Sequence, residues 1–320
     1  MNNSSTQAQS TQAVPFMKFT ELVAWSCAFG VVDVFILVGN VLTLIVFITN
    51  KKLLRVRANY FLINLALADI LVGTSAIPIV IMNTSVTTDS EEGEGMLSSS
   101  SYEVILWCAV IVNDVYLCVD IFAGLSSMLL LVVTALERVY SIFFPFSHRC
   151  TSRQFYWLSA CSAWIIAGCV ACLKLLFSRR VIPPSYDNYI IVTVVSLAIL
   201  TMSASYVAIW TRLQCRRKNS SVIVQEKPVA MAMLIVTIAF LGMWLPISFI
   251  NLIGSFDSRS VLVIPLNAIY FAKLLQYCNS VVNPIIYSLK LPQFRKALDR
   301  LRHKSSVITE HRTQNDRPLI

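Results

Sequence analysis

One long apolar stretch carries three residues that could act together: Asp120, Ser127 and Arg138. Asp120 and Arg138 are eighteen residues apart, which is five helical turns, so in a helix they share a face and stand about 27 Å from one another. Ser127 lies on nearly the same face between them. One helix face thus carries an anion toward one end, a hydroxyl in the middle and a cation at the other end. Ionisable groups within a bilayer helix are costly, and by default they face the interior of a bundle and mark function.

A second constellation surrounds Asp69. It lies in an apolar run and has Asn40, Asn279, Ser280 and Asn283 as polar company in other apolar runs. One carboxylate among neutral oxygens suits a hard cation such as Na⁺. The same set equally suits a hydrated hydrogen-bond network between helices, and spacing alone leaves both readings open. Pro246 and Pro284 sit inside apolar runs, where each frees backbone carbonyls and bends its helix.

The elements that must position these residues follow from composition. Of 320 residues 56% are apolar and 13% charged, against about 25% charged in a soluble domain. The apolar residues come in seven blocks, near 22–49, 58–82, 104–137, 155–177, 187–212, 228–254 and 261–287, each at least as long as the stretch of about 20 residues that a bilayer helix needs. Runs this long cannot be barrel strands, so the expected fold is all-α, a seven-transmembrane helix bundle. After it Leu291, Phe294, Leu298 and Leu301 alternate with Lys and Arg as a short amphipathic helix along the inner membrane surface. The expected organisation is an extracellular tail at 1–21, a membrane domain at 22–290, and the amphipathic helix with a cytoplasmic tail at 291–320.

The net charge of +9 does not point to nucleic acid, because the basic residues are sorted by side. With the N-terminus outside, most of the 26 Lys and Arg fall on cytoplasmic pieces, leaving only Lys18, Lys174, Arg179, Arg180, Arg259 and Lys273 elsewhere. This follows the positive-inside rule and implies a multi-pass plasma-membrane protein, N-terminus out, with lipid as its surroundings. Residues 1–16 are polar and lack the basic start and apolar stretch of a cleaved signal, so the first helix is expected to insert the chain. Sequons at Asn2, Asn3 and Asn83 fall on the outer side as glycosylation candidates. The outer connection at 84–103 is acidic and rich in Ser and Gly, a disordered composition. The one between the fourth and fifth blocks is short and broken by Pro183-Pro184. Nine cysteines lie mostly within helices, where Cys is ordinarily a small buried hydrophobe, and no outer loop after the third block holds one.

Several of these residues carry a family resemblance: Gly39-Asn40, L-A-L-A-D ending at Asp69, Glu137-Arg138-Val139, Trp164, Tyr206, Phe240 with Trp244-Leu245-Pro246, and Asn279-Ser280 followed by N-P-I-I-Y ending at Tyr287, then Phe294. Together and in this order, over residues 22–302, they resemble the rhodopsin-like (class A) G-protein-coupled receptors. The resemblance implies a receptor that transduces an extracellular ligand into activation of a heterotrimeric G protein. It implies that Glu137, and across the bundle Glu226, hold Arg138 at rest. Ligand binding repacks Trp244 and Phe240, the sixth helix swings at Pro246, and Tyr206 and Tyr287 move in. It also matches Asp69, Ser127, Asn279, Ser280 and Asn283 to the family's sodium pocket, a structural ion rather than a catalytic cofactor.

The departures are equally specific. The cysteine usual at the outer end of the third helix is replaced by Asn113, and a proline usual in the fifth helix by Ala198. Those features resemble the melanocortin, adenosine and cannabinoid branch, whereas Asp120 with Tyr277 looks like the amine-receptor pair. Asp120, Tyr116, Phe122, Gly124, Ile247, Ser248, Asn251, Lys273 and Tyr277, with Trp244 beneath, are expected to line or adjoin the ligand cavity. An unpaired Asp120 in a low-dielectric pocket requires a cation. A small-amine ligand is the leading expectation, and an internal pair with Lys273 the competing one. The latter leaves room for a peptide, nucleoside or lipid. No nucleophile–base pair or phosphate-binding loop suggests an enzyme, and no internal repeat suggests a transporter.

Overall fold

The computed structural model describes residues 18–74, 99–182, 187–215, 221–256, 263–290, 292 and 294–301, with the side chains of 99–113, 187–188, 213–234, 236–237 and 290 outside that description. In chain order the helices are α1 (Phe19–Thr49), α2 (Lys51–Arg55), α3 (Asn59–Thr74), α4 (Ser99–Phe143), α5 (Pro145–Cys150), α6 (Arg153–Ser178), α7 (Asp187–Cys215), α8 (Ser221–Phe256), α9 (Leu266–Lys290) and α10 (294–301). Among the described residues α1, α4, α6, α7 and α8 contain stretches long and apolar enough to cross a bilayer. The spanning helix α3 is described only as far as Thr74, so 75–82 of the second expected span lie outside the described residues. The seventh, α9, is less apolar because one of its faces carries Lys273, Gln276, Asn279, Ser280 and Asn283. These helices form the expected bundle, their outer faces studded with exposed Val, Leu, Ile and Phe. In a bilayer such a surface meets lipid rather than water.

The ends depart from expectation where backbone chemistry decides them. Helix α4 begins at Ser99 rather than 104, inside the segment expected to be disordered, since Ser99–Glu103 contains neither Gly nor Pro. It also runs past Glu137 to Phe143. There Pro145 opens α5, and the residue before it, Phe144, adopts φ −126° and ψ 61°; a residue preceding proline is pushed out of the helical region. Helix α9 starts at Leu266, not 261, because Pro265 stands just before its first turn and accepts the amide of Ala268 at 2.9 Å. Proline at 284 is accommodated within α9, and Pro246 likewise lies within α8. Pro183-Pro184, Glu226, Asn2, Asn3, Asn83 and Leu291 lie outside the described residues or side chains.

Helix α4 is the most enclosed span and packs on α6, α7 and α8, while α1 and α8 both pack on α9. The last helix folds back onto the bundle. Phe294 is 2% exposed, with its ring centroid 5.5 Å from that of Phe47 and 6.2 Å from that of Tyr287. Where α1 meets Pro284, a Cβ on Gly39 would stand 3.1 Å from the proline Cγ. Glycine is therefore favoured by close approach rather than by a turn. Gly39→Val is expected to overpack this contact and destabilise the protein by about 1–3 kcal/mol. A drop in the thermal midpoint of the solubilised protein, larger for Val than for Ala, checks it.

Candidate functional site

Asp120 and Lys273 meet across the outer half of the bundle. Lys273 Nζ lies 2.6 Å from Asp120 Oδ2 and also donates to Gln276 Oε1 at 3.1 Å. Tyr277 Oη donates to the other carboxylate oxygen at 2.9 Å, and its ring lies 5.2 Å below the ammonium. Both Asp120 oxygens are engaged from within the chain. The internal pair is thus the arrangement seen, in place of an open carboxylate awaiting a ligand cation. Tyr116 stands one place back, its hydroxyl 3.2 Å from that of Tyr277.

Asp120, Lys273 and Gln276 floor a cavity of about 400 Å³ between α4, α6, α7, α8 and α9, and Tyr116 and Tyr277 adjoin it behind them without lining it. Of the residues expected there, Asp120, Gly124, Trp244, Ile247, Ser248, Asn251 and Lys273 line it. Phe122 does not: its ring packs on Trp164 at 5.3 Å, turned toward α6. Residues missed in the sequence include Lys174, Ser196 and Gln276. Gln276 had a legible signal, since Lys273, Gln276, Tyr277 and Ser280 follow the i, i+3, i+4, i+7 spacing of one helix face.

Below the cavity floor a water-sized space of about 10 Å³ is lined by Asp120, Ser127, Trp244, Gln276, Tyr277, Asn279 and Ser280. It leads toward Asp69, which is fully buried and accepts from Ser127 Oγ, Ser280 Oγ and Asn283 Nδ2, each at 2.8 Å. Asn40 takes a different part, donating to the Ser280 carbonyl at 3.0 Å. Asn279 is buried beside the set, with no hydrogen bond to Asp69 among the described residues. The Asn283 and Asn40 side-chain carbonyls are buried without a donor. One carboxylate, hydroxyls and unsatisfied amide oxygens form an oxygen-rich set that fits a small hard cation. Asp33 was also overlooked in the sequence. It is wholly buried on the same α1 stripe as Asn40, and both carboxylate oxygens lack a hydrogen-bond partner.

At the inner end Glu137 is clamped from two sides. Arg138 Nε lies 2.7 Å from Oε2, an ion pair by distance although out of line for a hydrogen bond, and His148 Nε2 lies 2.8 Å from Oε1. His148 also meets the Tyr156 hydroxyl at 3.0 Å. The sequence offered no sign of His148, because it reaches Glu137 from the separate helix α5. Between the two ends Phe240 stacks on Trp244 with centroids 5.4 Å apart and planes 25° apart. Tyr206 and Tyr287 are both buried in this core.

A charged outer cavity, a buried polar hub and an inner acid–arginine pair thus lie along one bundle, and comparison with known proteins decides what kind of bundle it is. The sequence profile of the 7 transmembrane receptor (rhodopsin family) matches residues 39–287. The chain belongs to the rhodopsin family of seven-transmembrane receptors. Its relatives include the adenosine receptor A3 of Ovis aries, 26% identical over 288 residues that cover 81% of this chain and 83% of the relative. The adenosine receptor A2a of Homo sapiens is 27% identical over 295 residues, 84% of this chain and 70% of the relative. The muscarinic acetylcholine receptor M5 of Mus musculus is 29% identical over 207 residues, 61% of this chain and 35% of the relative. This class A receptor is a multi-pass plasma-membrane protein of signal transduction and not an enzyme.

Proposed function

We propose that this receptor carries the presence of a small extracellular ligand, bound in the outer cavity, to a heterotrimeric G protein at its inner face, with its N-terminus outside. The closed Asp120–Lys273 pair bears most on the ligand class. A simple amine seeking Asp120 must displace Lys273 and leave that ammonium buried beside a second cation. Breaking a buried pair on one side costs about 3–5 kcal/mol. An uncharged polar ligand avoids that cost, and Gln276, Asn251, Ser196 and Ser248 offer it neutral donors and acceptors among the apolar residues of the wall, beside the charged Asp120, Lys174 and Lys273. Relatives named as adenosine receptors over most of the chain support a nucleoside-like ligand. The amine reading keeps one specific support, the Tyr277–Asp120 hydrogen bond at 2.9 Å, together with a relative named as an acetylcholine receptor.

In this reading ligand contact shifts the packing of Trp244 on Phe240, and α8 pivots at Pro246. Glu137 then yields Arg138 to the G protein while Tyr206 and Tyr287 close behind it. The ligand drives this only by its higher affinity for the open arrangement. Asp69, Ser127, Asn279, Ser280 and Asn283 would hold a sodium ion, which supplies positive charge to the buried carboxylate. Those side chains keep α3, α4 and α9 in register at rest. A panel of nucleosides and monoamines applied to cells expressing the receptor, with second messenger as readout, is the direct test. Responses confined to nucleosides support the reading, and responses confined to monoamines overturn it in favour of the amine class.

A further inference from the structure

Asp114 lies two turns outward of Asp120 on α4 and is 6% exposed. Its Oδ2 is 2.5 Å from Arg179 Nε, and its Oδ1 accepts from Ser178 Oγ at 3.0 Å. Arg179 meets it as an ion pair and Ser178 as a hydrogen-bond donor, and both come from the end of α6, where the chain is tightly wound. Arg179 donates its amide to Leu175 O at 2.9 Å, Arg180 to Phe177 O at 2.9 Å, and Val181 to Leu176 O at 3.0 Å. Arg180 takes φ 55°, and no other described non-glycine residue has a positive φ. The guanidinium therefore projects from a fixed turn rather than from a swinging loop.

This contact continues the α4–α6 wall of the ligand cavity. One turn further in, Cys118 Sγ approaches the Ala171 carbonyl at 3.8 Å. Asp120, deeper on α4, and Lys174, between Ala171 and Arg179 on α6, face the cavity. At 1.5 Å per residue Asp114 is about 9 Å from Asp120 along its helix, and Arg179 is about 7.5 Å from Lys174. An exposed ion pair contributes little, but this one is lopsided. The Arg179 side chain is 41% exposed whereas that of Asp114 is 9% exposed, so losing the arginine leaves a buried carboxylate without its counter-charge. Cys118 and Cys172 are free thiols, and no disulfide occurs among the described residues. Asn113, next to Asp114, stands where the family's tethering cysteine is usual.

We propose that Asp114, Arg179 and Ser178 form an ionic clamp that does the work of that disulfide, and that Asp114 and Arg179 are positioning residues for the α4–α6 wall of the ligand cavity. The inference does not depend on the ligand's identity. Cys118, between clamp and cavity, reports on it, and Cys278 on α9 is a control of similar partial burial. The test labels the full-length receptor in native membranes with N-ethylmaleimide and reads each cysteine by mass spectrometry. Arg179→Gln and Asp114→Asn are each expected to raise the Cys118 rate severalfold while Cys278 keeps its rate. Arg179→Lys is expected to return Cys118 to near its original rate, and dithiothreitol on the unaltered receptor is expected to change neither. An unchanged Cys118 rate in Arg179→Gln, a parallel rise at Cys278, or failure of Arg179→Lys to restore it would each overturn the clamp. A rise at Cys118 caused by dithiothreitol alone would assign the tether to a covalent bridge instead.

Discussion

Neutralising either Asp120 or Lys273 alone is expected to destabilise the receptor by about 3–5 kcal/mol, and neutralising both together is expected to recover most of that loss. The reason lies in the asymmetry of burial. Lys273 Nζ and Asp120 Oδ2 are 2.6 Å apart, and their side chains are 22% and 9% exposed. In Asp120→Asn the ammonium is left with neutral partners alone: Gln276 Oε1, the Tyr277 ring and the introduced amide oxygen. In Lys273→Met the carboxylate keeps only the Tyr277 hydroxyl. The double variant removes both charges and leaves a floor that Tyr277 and Gln276 can still hydrogen-bond. Thermal midpoints of the solubilised single and double variants measure the coupling directly. Additive losses would mean that the pair does not form in the membrane.

The same variants separate the ligand classes. For an uncharged nucleoside-like ligand the double variant retains signalling potency within about tenfold, since no charge contacts the ligand. That range corresponds to about 1.4 kcal/mol. For a monoamine Asp120→Asn abolishes the response, while Lys273→Met increases potency because the internal competitor is gone. Concentration–response curves for adenosine and for a monoamine, taken on all four receptors, distinguish these patterns without assuming either.

The bundle was legible because a bilayer leaves few choices. Apolar runs of span length must be helices, and intramembrane polar residues must face inward. That grouped Asp69 with Ser280 and Asn283, whereas Ser127 joined Asp69, and Tyr277 joined Asp120, only through the family resemblance. What spacing could not supply was the outcome of competition. Whether Asp120 points to Lys273 or to open space depends on the rotation of α9 relative to α4, which a helical wheel of either alone does not contain. Phe122 shows the same limit: two residues from Asp120, it faces Trp164 rather than the cavity. Helix ends moved where proline overrode hydropathy, at Pro145 and Pro265. His148 was invisible because its contact with Glu137 joins a short helix to a long one through a bend at Phe144.

Asp69→Ala is expected to be the most damaging single change in the bundle core, costing about 3 kcal/mol or more. Hydrogen bonds to a charged acceptor contribute about 1.5–3 kcal/mol each, and this substitution strands three donors at once. Ser127, Ser280 and Asn283 come from two different helices, and all three meet the one carboxylate at 2.8 Å. Their loss therefore loosens α3 from both α4 and α9. Asp69→Asn keeps the shape but presents an amide donor to groups that are themselves donating, so it is expected to fall between wild type and Ala. The proposed sodium ion adds a separate, concentration-dependent part. An ion that binds only the folded resting state stabilises it by RT ln(1 + [Na⁺]/Kd), about 1.4 kcal/mol at tenfold saturation. Thermal midpoints in sodium chloride and in choline chloride at matched ionic strength should therefore differ by a few degrees for the wild type and coincide for Asp69→Asn. A wild-type receptor indifferent to sodium would leave Asp69 as a hydrogen-bond hub alone. A sodium effect that survives in Asp69→Asn would place the ion elsewhere, with the buried Asp33 carboxylate the first position to examine.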